Sequence, residues 1–260
     1  MVVRAMANMR FDLTGRVAVV TGGNGGIGLA IARGLAQAGA QLVIVGRDQA
    51  KNDAAAHQLR EAGAEVLALR ADVTEPEGCA SLVEATLARF GTIDILVNNA
   101  GTNIRKRPEA YGFDEWRMLV DVNLTSVYLA CMAAYPVLKR RGGKIVNIGS
   151  MTSIFGASFS APYGAAKGGV VQLTKSLASA WAADDIQVNA ILPGWIVTDL
   201  TIRGRKATPD LHQKVIARTP AGRWGEPDDI AGAAVFLASR AANFVTGTAL
   251  PVDGGYAAQA

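Results

Sequence analysis

With 260 residues, half of them hydrophobic and only 18% charged, the chain has enough apolar material to cover both faces of a large sheet, which excludes a disordered or low-complexity protein. Its 26 basic and 22 acidic residues leave a net charge of +4 and form no long basic stripe, so nothing marks a nucleic-acid surface. Two cysteines, Cys79 and Cys131, can make neither a disulfide framework nor a pair at metal-ligand spacing; no metal is expected, and reduced thiols fit the cytoplasm.

Residues 1–10 hold no apolar core of signal-peptide length and read as a flexible extension ahead of one domain, 11–260. No run of about 18 apolar residues suggests a membrane span. Short runs rich in Val, Ile and Leu then recur at 17–20, 42–45, 66–69, 93–97, 144–148, 186–191 and 248–252. Their near-continuous apolar character predicts strands covered on both faces. Helical patterns fill the intervals at 27–38, 49–61, 76–90, 113–138, 162–183 and 227–238. Strand and helix in alternation predict right-handed βαβ units: an α/β fold with one Rossmann-type, doubly wound, seven-stranded parallel sheet and helices on both faces.

Between the first predicted strand and helix stands Thr21-Gly22-Gly23-Asn24-Gly25-Gly26-Ile27-Gly28. Gly22, Gly26 and Gly28 suit a dinucleotide turn: one for the tight turn, one for backbone approach to pyrophosphate, one for close helix–sheet packing. The free N–H groups of the helix start, beside Asn24 and Ile27, would meet the anion. The second strand ends at Gly46-Arg47-Asp48. An acid at that tip would bond both adenosine ribose hydroxyls and repel a 2′-phosphate; Gly46 does neither, and Arg47 can pair with a phosphate, which favours NADP(H) over NAD(H). Arg47 is also readable as a solvated side chain, with Asp48 capping the next helix. The third strand ends at Asp72-Val73, suited to the adenine edge, and the fourth at Asn98-Asn99-Ala100-Gly101, whose small residues and amides can border the cofactor.

Tyr163 and Lys167 lie four apart on a predicted helix and therefore share a face. A free phenol titrates near pH 10, and a neighbouring ammonium favours the phenolate and brings proton exchange toward neutrality. Ser150, thirteen residues before Tyr163, follows the fifth strand and could donate to a carbonyl oxygen. Met151, Ile154, Phe155 and Trp195 stand beside these positions, as an apolar pocket wall or as ordinary core. Residues 198–221, polar and interrupted by Gly204, Pro209 and Pro220, read as a substrate lid holding a short helix.

In this order and spacing, residues 21–28, Asp72, 98–101, Asn123, Ser150, Tyr163 with Lys167, and Pro193-Gly194 with Thr198 resemble a short-chain dehydrogenase/reductase, over about 11–256 and with no departure at a catalytic position. The resemblance implies NAD(P)-dependent interconversion of a secondary alcohol and a ketone in a homotetramer. It makes Tyr163 the general acid and base, Lys167 the holder of the nicotinamide ribose, Ser150 the group that orients the reacting oxygen, and Asn123 the holder of a proton-relaying water. Thr198 and the backbone near Ile196 would fix the nicotinamide carboxamide, with Pro193 and Gly194 also at the cofactor. The tail, 219–225 and 252–255, is similar to that of sugar-acid dehydrogenases such as the gluconate 5- and 2-deoxy-gluconate 3-dehydrogenases, and also to 3-oxoacyl thioester reductases. Basic residues after the Asn-Asn-Ala-Gly motif, here Arg105-Lys106-Arg107, add to the first likeness: Arg105 could clamp a carboxylate, or the three could form a solvated loop face. The expected substrate is a sugar acid or small carbonyl compound, with a 3-oxoacyl thioester as the alternative and a non-catalytic NADP-binding regulator as the alternative of another class.

Overall fold

The computed structural model describes residues 10–259, so the extension expected at 1–10 lies almost wholly outside the described residues. Among the described residues seven strands form: β1 (Val17–Thr21), β2 (Gln41–Gly46), β3 (Val66–Arg70), β4 (Ile95–Asn98), β5 (Gly143–Ile148), β6 (Ile186–Pro193) and β7 (Ala249–Val252). They make one sheet in the order β3-β2-β1-β4-β5-β6-β7, every neighbouring pair parallel. The central strands are apolar without alternation because both faces are covered: all of β1, β4 and β6 is buried. Helices α1 (Gly26–Gln37), α2 (Gln49–Glu61) and α9 (Asp228–Ala238) pack Ile31, Leu35, Leu59, Ile230 and Leu237 on one face. The opposite face takes Leu82 from α3 (Pro76–Phe90), Ala130 and Ala134 from α5 (Ser126–Leu138), and Val170 and Leu177 from α6 (Ala161–Trp181).

Strand order reverses between β1 and β4, which pair directly although β2 and β3 separate them in the chain. At such a switch point the connections leave in opposite directions, and a crevice opens at the carboxyl ends of the strands. The dinucleotide turn of β1 and the Asn-Asn-Ala-Gly turn of β4 both emerge there.

The single helix expected at 113–138 is broken. It forms as α4 (Phe113–Val120), a π turn (Asp121–Thr125) and α5, in which the Ser126 N–H reaches back five residues to Asp121 O. Wholly buried Asn123 sits in the π turn and donates its side-chain amide to Leu119 O (2.8 Å). One extra residue per turn is a frequent mark of a functional site. A window of this stretch has a mean hydropathy of 1.4, enough by composition for a membrane span, yet α5 buries Val127, Ala130, Ala134 and Leu138 against the sheet. Residues 198–221 hold two short helices where one was expected, α7 (Asp199–Ala207) and α8 (Leu211–Arg218); α8 seats Leu211 and Val215 on Trp224.

Candidate active site

The crevice is a cleft of about 310 Å³. On one side lie Gly22, Asn24, Gly26 and Ile27; Asn99, Ala100 and Gly101 follow from β4; Ser150, Tyr163 and Lys167 stand at the inner end; Pro193, Gly194, Ile196 and Thr198 close it from β6. Twenty-six residues apart in sequence at the nearest, these four groups meet because four neighbouring strands end on one edge.

The turn after β1 has the geometry that a dinucleotide demands. Gly22 (φ +63) and Gly26 (φ +50) occupy the left-handed region that favours glycine. Gly28 has no room for a side chain, since a Cβ there would overlap Gly22 O and Asn99 Nδ2. Thr21 Oγ1 accepts the backbone N–H groups of Asn99 (3.0 Å) and Ala100 (3.1 Å), and Asn99 Nδ2 donates to Thr21 O and Gly22 O. The two turns are thereby stitched across the switch point, with the N-terminus of α1 facing the cleft. Among the described residues no cluster of His, Cys, Asp or Glu could hold a metal.

At the far end, Arg47 is 70% exposed and its Nη1 stands 3.9 Å from Asp72 Oδ2. Burial works to raise the Asp72 carboxyl, but hydrogen bonds from the Thr74 N–H and hydroxyl, with help from Arg47, hold it below the usual range. Val73 is turned into the core beside Cys79 and Leu82, so only its backbone remains at the strand end.

Ser150 caps a short 3-10 turn (Met151–Ser153), its hydroxyl accepting the Thr152 N–H (3.1 Å). Ser153, which the sequence reading passed over, accepts the Ser150 N–H (3.2 Å) and donates to Lys167 O (2.8 Å), tying the serine turn to α6. The Ser-x-x-Ser spacing of a capping box was the available signal. Thr201, also unanticipated, lines the cleft and boxes Thr198 in the same way: its hydroxyl accepts the Thr198 N–H (2.9 Å).

Lys167 is buried; its Nζ donates to Ile148 O (2.7 Å) and stands 5.8 Å from the centre of the Tyr163 ring. Burial lowers its pKa to about 8. Burial also holds the Tyr163 phenol above its ordinary range, with the Ser150 hydroxyl pulling the other way. A Lys167 ammonium was expected to draw this phenol toward neutrality; within the chain it stands above its ordinary range, with burial setting the direction against the Ser150 hydroxyl.

Asn123 spends both amide hydrogens on Thr102 O (2.9 Å) and Leu119 O, and its Oδ1 accepts the Thr102 N–H (3.2 Å). A Cβ on Gly101 would lie 2.9 Å from Asn123 Oδ1 and 3.6 Å from Lys167 Nζ. Glycine keeps that space between the two polar groups open.

The expected pocket wall divides. Met151 is turned inward onto Val171 and Leu192, because the 3-10 turn folds it back under Ser150, and Phe155 packs edge-on against Tyr256 (6.3 Å); neither lines the cleft, and Ile154 is exposed. Trp195 and Arg105 do come together, but beside the cleft and not in its lining; Trp195 borders a neighbouring cavity of about 190 Å³ that shares Gly194 and Ile196 with the cleft. The Arg105 guanidinium lies 4.0 Å from the centre of the Phe159 ring and 5.6 Å from that of Trp195, with Nη1 against Gly204 of α7. Half-buried, it has no carboxylate within 4.0 Å among the described residues. Lys106 and Arg107 instead pair with Glu115 and Glu109.

Comparison with known proteins agrees with this geometry. The family model described as enoyl-(acyl carrier protein) reductase matches residues 22–257. The 2-dehydro-3-deoxy-D-gluconate 5-dehydrogenase of Dickeya dadantii is 41% identical, with 96% of this chain and 98% of that protein aligned. The gluconate 5-dehydrogenase of Gluconobacter oxydans is 40% identical over 94% and 96%. A crystal structure of a gluconate 5-dehydrogenase from Burkholderia cenocepacia, in complex with NADP and tartrate, superposes with a TM-score of 0.93 at 42% identity, covering 98% of this chain and all of that one.

Proposed function

The chain belongs to the short-chain dehydrogenase/reductase family, as an NAD(P)-dependent oxidoreductase that interconverts a secondary alcohol and a ketone, and on that premise we propose which residues act, on what, and with which cofactor. Bound nicotinamide supplies or accepts the hydride; the protein's work is to place it and to move the proton. Tyr163 gives its phenolic proton to the carbonyl oxygen in reduction and takes it back in oxidation, while Ser150 hydrogen-bonds the same oxygen. Lys167 holds the nicotinamide ribose, and a water in the space beside Gly101 joins its Nζ to Asn123 Oδ1, which makes Asn123 the end of a proton path. Pro193, Gly194, Ile196 and Thr198 hold the carboxamide end. Arg47, exposed at the tip of β2, leaves Asp72 to pair with a 2′-phosphate, so NADP(H) is the favoured cofactor.

The substrate is a sugar acid. Arg105 carries this reading: a half-buried guanidinium, flanked by Phe159 and Trp195 and without a carboxylate partner among the described residues, is suited to receive a substrate carboxylate. The two relatives aligned above bear the names of sugar-acid dehydrogenases, which agrees. Residues 198–221 act as a lid over the substrate. Exposed Phe113, Trp116 and Tyr128 on α4 and α5, with fully exposed Phe244 before β7, are covered in a two-fold symmetric homotetramer. Buried, unpaired Cys79 and Cys131 suit the cytoplasm.

The test is a panel of aldonates, ketoaldonates, neutral polyols, simple ketones and a 3-oxoacyl thioester, run with both cofactors. Six-carbon sugar acids should give the highest kcat/KM. Arg105→Met should raise KM for them about 10–100-fold, the worth of a charge-assisted hydrogen bond, and leave neutral substrates nearly untouched. Arg47→Ala should weaken NADPH far more than NADH. Preference for the thioester, or an Arg105→Met effect equal on charged and neutral substrates, overturns the sugar-acid reading.

A further inference from the structure

Gly46, at the tip of β2, is more constrained than its φ and position suggest. A Cβ there would lie 2.6 Å from Asn52 Oδ1 and closer still to Asn24 Nδ2. These two atoms are hydrogen-bonded to each other at 2.7 Å. Asn24 belongs to the phosphate turn and lines the cofactor cleft. Asn52 comes from the first turn of α2, is wholly buried and does not reach the cleft. Its amide nitrogen donates to Gly46 O (2.9 Å) and Leu69 O (3.0 Å), one at the tip of β2 and one on β3. With Oδ1 taken by Asn24, the side chain is fixed from three directions. It cannot swing aside for a new neighbour without abandoning two backbone carbonyls in a dry environment, so the displaced group must be Asn24 and the turn that carries it.

An acidic side chain at the tip of β2 is what recognises the adenosine ribose of NAD in this architecture. That side chain would have to leave Gly46 through the Asn24–Asn52 pair. We infer that Asn52 is a determinant of cofactor specificity, because its bond to Asn24 both pins the phosphate turn and blocks the exit that an NAD-binding acid at position 46 would need. Arg47 then acts on a site from which the competing recognition is sterically excluded. The inference rests on the placement of the adenosine ribose beside Gly46 and Arg47, the reading given above.

Direct titration of NADH and NADPH into purified protein, followed by tryptophan fluorescence, tests it without turnover. Gly46→Asp alone should lose at least about tenfold in NADPH affinity and gain nothing for NADH. Gly46→Asp with Asn52→Ser, which clears Oδ1 and keeps a donor, should bind NADH about tenfold more tightly than Gly46→Asp. A gain for NADH in Gly46→Asp equal to that of the double variant overturns the inference, as does a folded double variant with no gain. A second cycle needs neither charge nor cofactor. Gly46→Ala should lower the melting temperature, and Asn52→Ser should cost less in that background than in wild type. Additive costs refute the lock. If wild type binds the two cofactors alike, the reading of Arg47 fails by itself, and the melting cycle still decides whether Asn52 closes the tip of β2.

Discussion

Gly28→Ala sets two physical effects of opposite sign against each other. Gly28 lies in α1, and alanine in a helix interior is ordinarily better than glycine by about 1 kcal/mol. At this position the added Cβ overlaps Gly22 O and Asn99 Nδ2 and stands 2.9 Å from the Gly22 carbonyl carbon. The neighbours are backbone and a doubly bonded amide, so they yield only by opening the turn. Overpacking of that kind costs about 1–3 kcal/mol. Displacing Asn99 Nδ2 also breaks its bonds to Thr21 O (3.0 Å) and Gly22 O (3.1 Å), about 1 kcal/mol each. The clash wins, by about 2–4 kcal/mol. For a chain of this length that lowers the melting temperature by roughly 5–15 °C, and the widened turn should bind NADPH at least about tenfold more weakly. Gly25→Ala is the control: Gly25 is extended (φ 176), and a Cβ there meets nothing within 4 Å, so its melting temperature should be unchanged or slightly higher. Calorimetry and cofactor titration on both variants check this. A Gly28→Ala protein as stable as wild type would show that helix propensity, not packing at the switch point, decides this position.

Tyr163→Phe should lose about 10²–10⁴-fold in kcat with cofactor affinity retained, measured by stopped-flow and titration; near-normal turnover refutes the acid–base assignment. Lys144, buried on β5 with Gln187 and Asn243 as neutral partners, has its pKa lowered by burial to about 8. A lysine below its unfolded pKa is penalised in full under pH 8, and the penalty is relieved as pH rises toward 10.5, so Lys144 makes stability rise with pH. Buried Cys79 and Cys131, raised to about 11 and 12, act oppositely above pH 9. The difference between wild type and Lys144→Met in urea melts isolates the lysine. It should shift in favour of wild type by about 1.4 kcal/mol per pH unit between pH 8 and 10, and a flat difference refutes the shift. Residues 198–221 should exchange amide hydrogens faster than β6 without ligands and gain protection when cofactor and substrate bind together; equal protection from the start means a rigid segment. Light scattering at micromolar concentration should return a tetramer, and a monomer would remove the role given to Phe113, Trp116 and Phe244.

What the amino-acid order determines by itself here is local or repetitive. Unbroken Val, Ile and Leu runs announce strands covered on both faces, and all seven strands form where those runs lie. Only β4 begins two residues later than expected, since the Asp94 carboxylate is spent on Arg16 and the Val17 N–H. Gly22 and Gly26 announce left-handed backbone, and the spacing of Tyr163 and Lys167 puts them on one helical face; each depends on neighbours within a turn or two. The tertiary structure decided what depends on a group from elsewhere in the chain. The break at 121–125 needs Asn123 to reach Leu119 O and Thr102, and a run of helix formers gives no hint of it. Met151 and Trp195 are both large apolar residues beside a strand end, and only packing sends one into the core and leaves the other beside Arg105. The height of the Tyr163 pKa is set by how much water the fold removes from the phenol. Gly46 read as permissive in sequence because it lacks a side chain. In the fold it lacks one because Asn52, six residues on, and Asn24, twenty-two residues back, already meet above it.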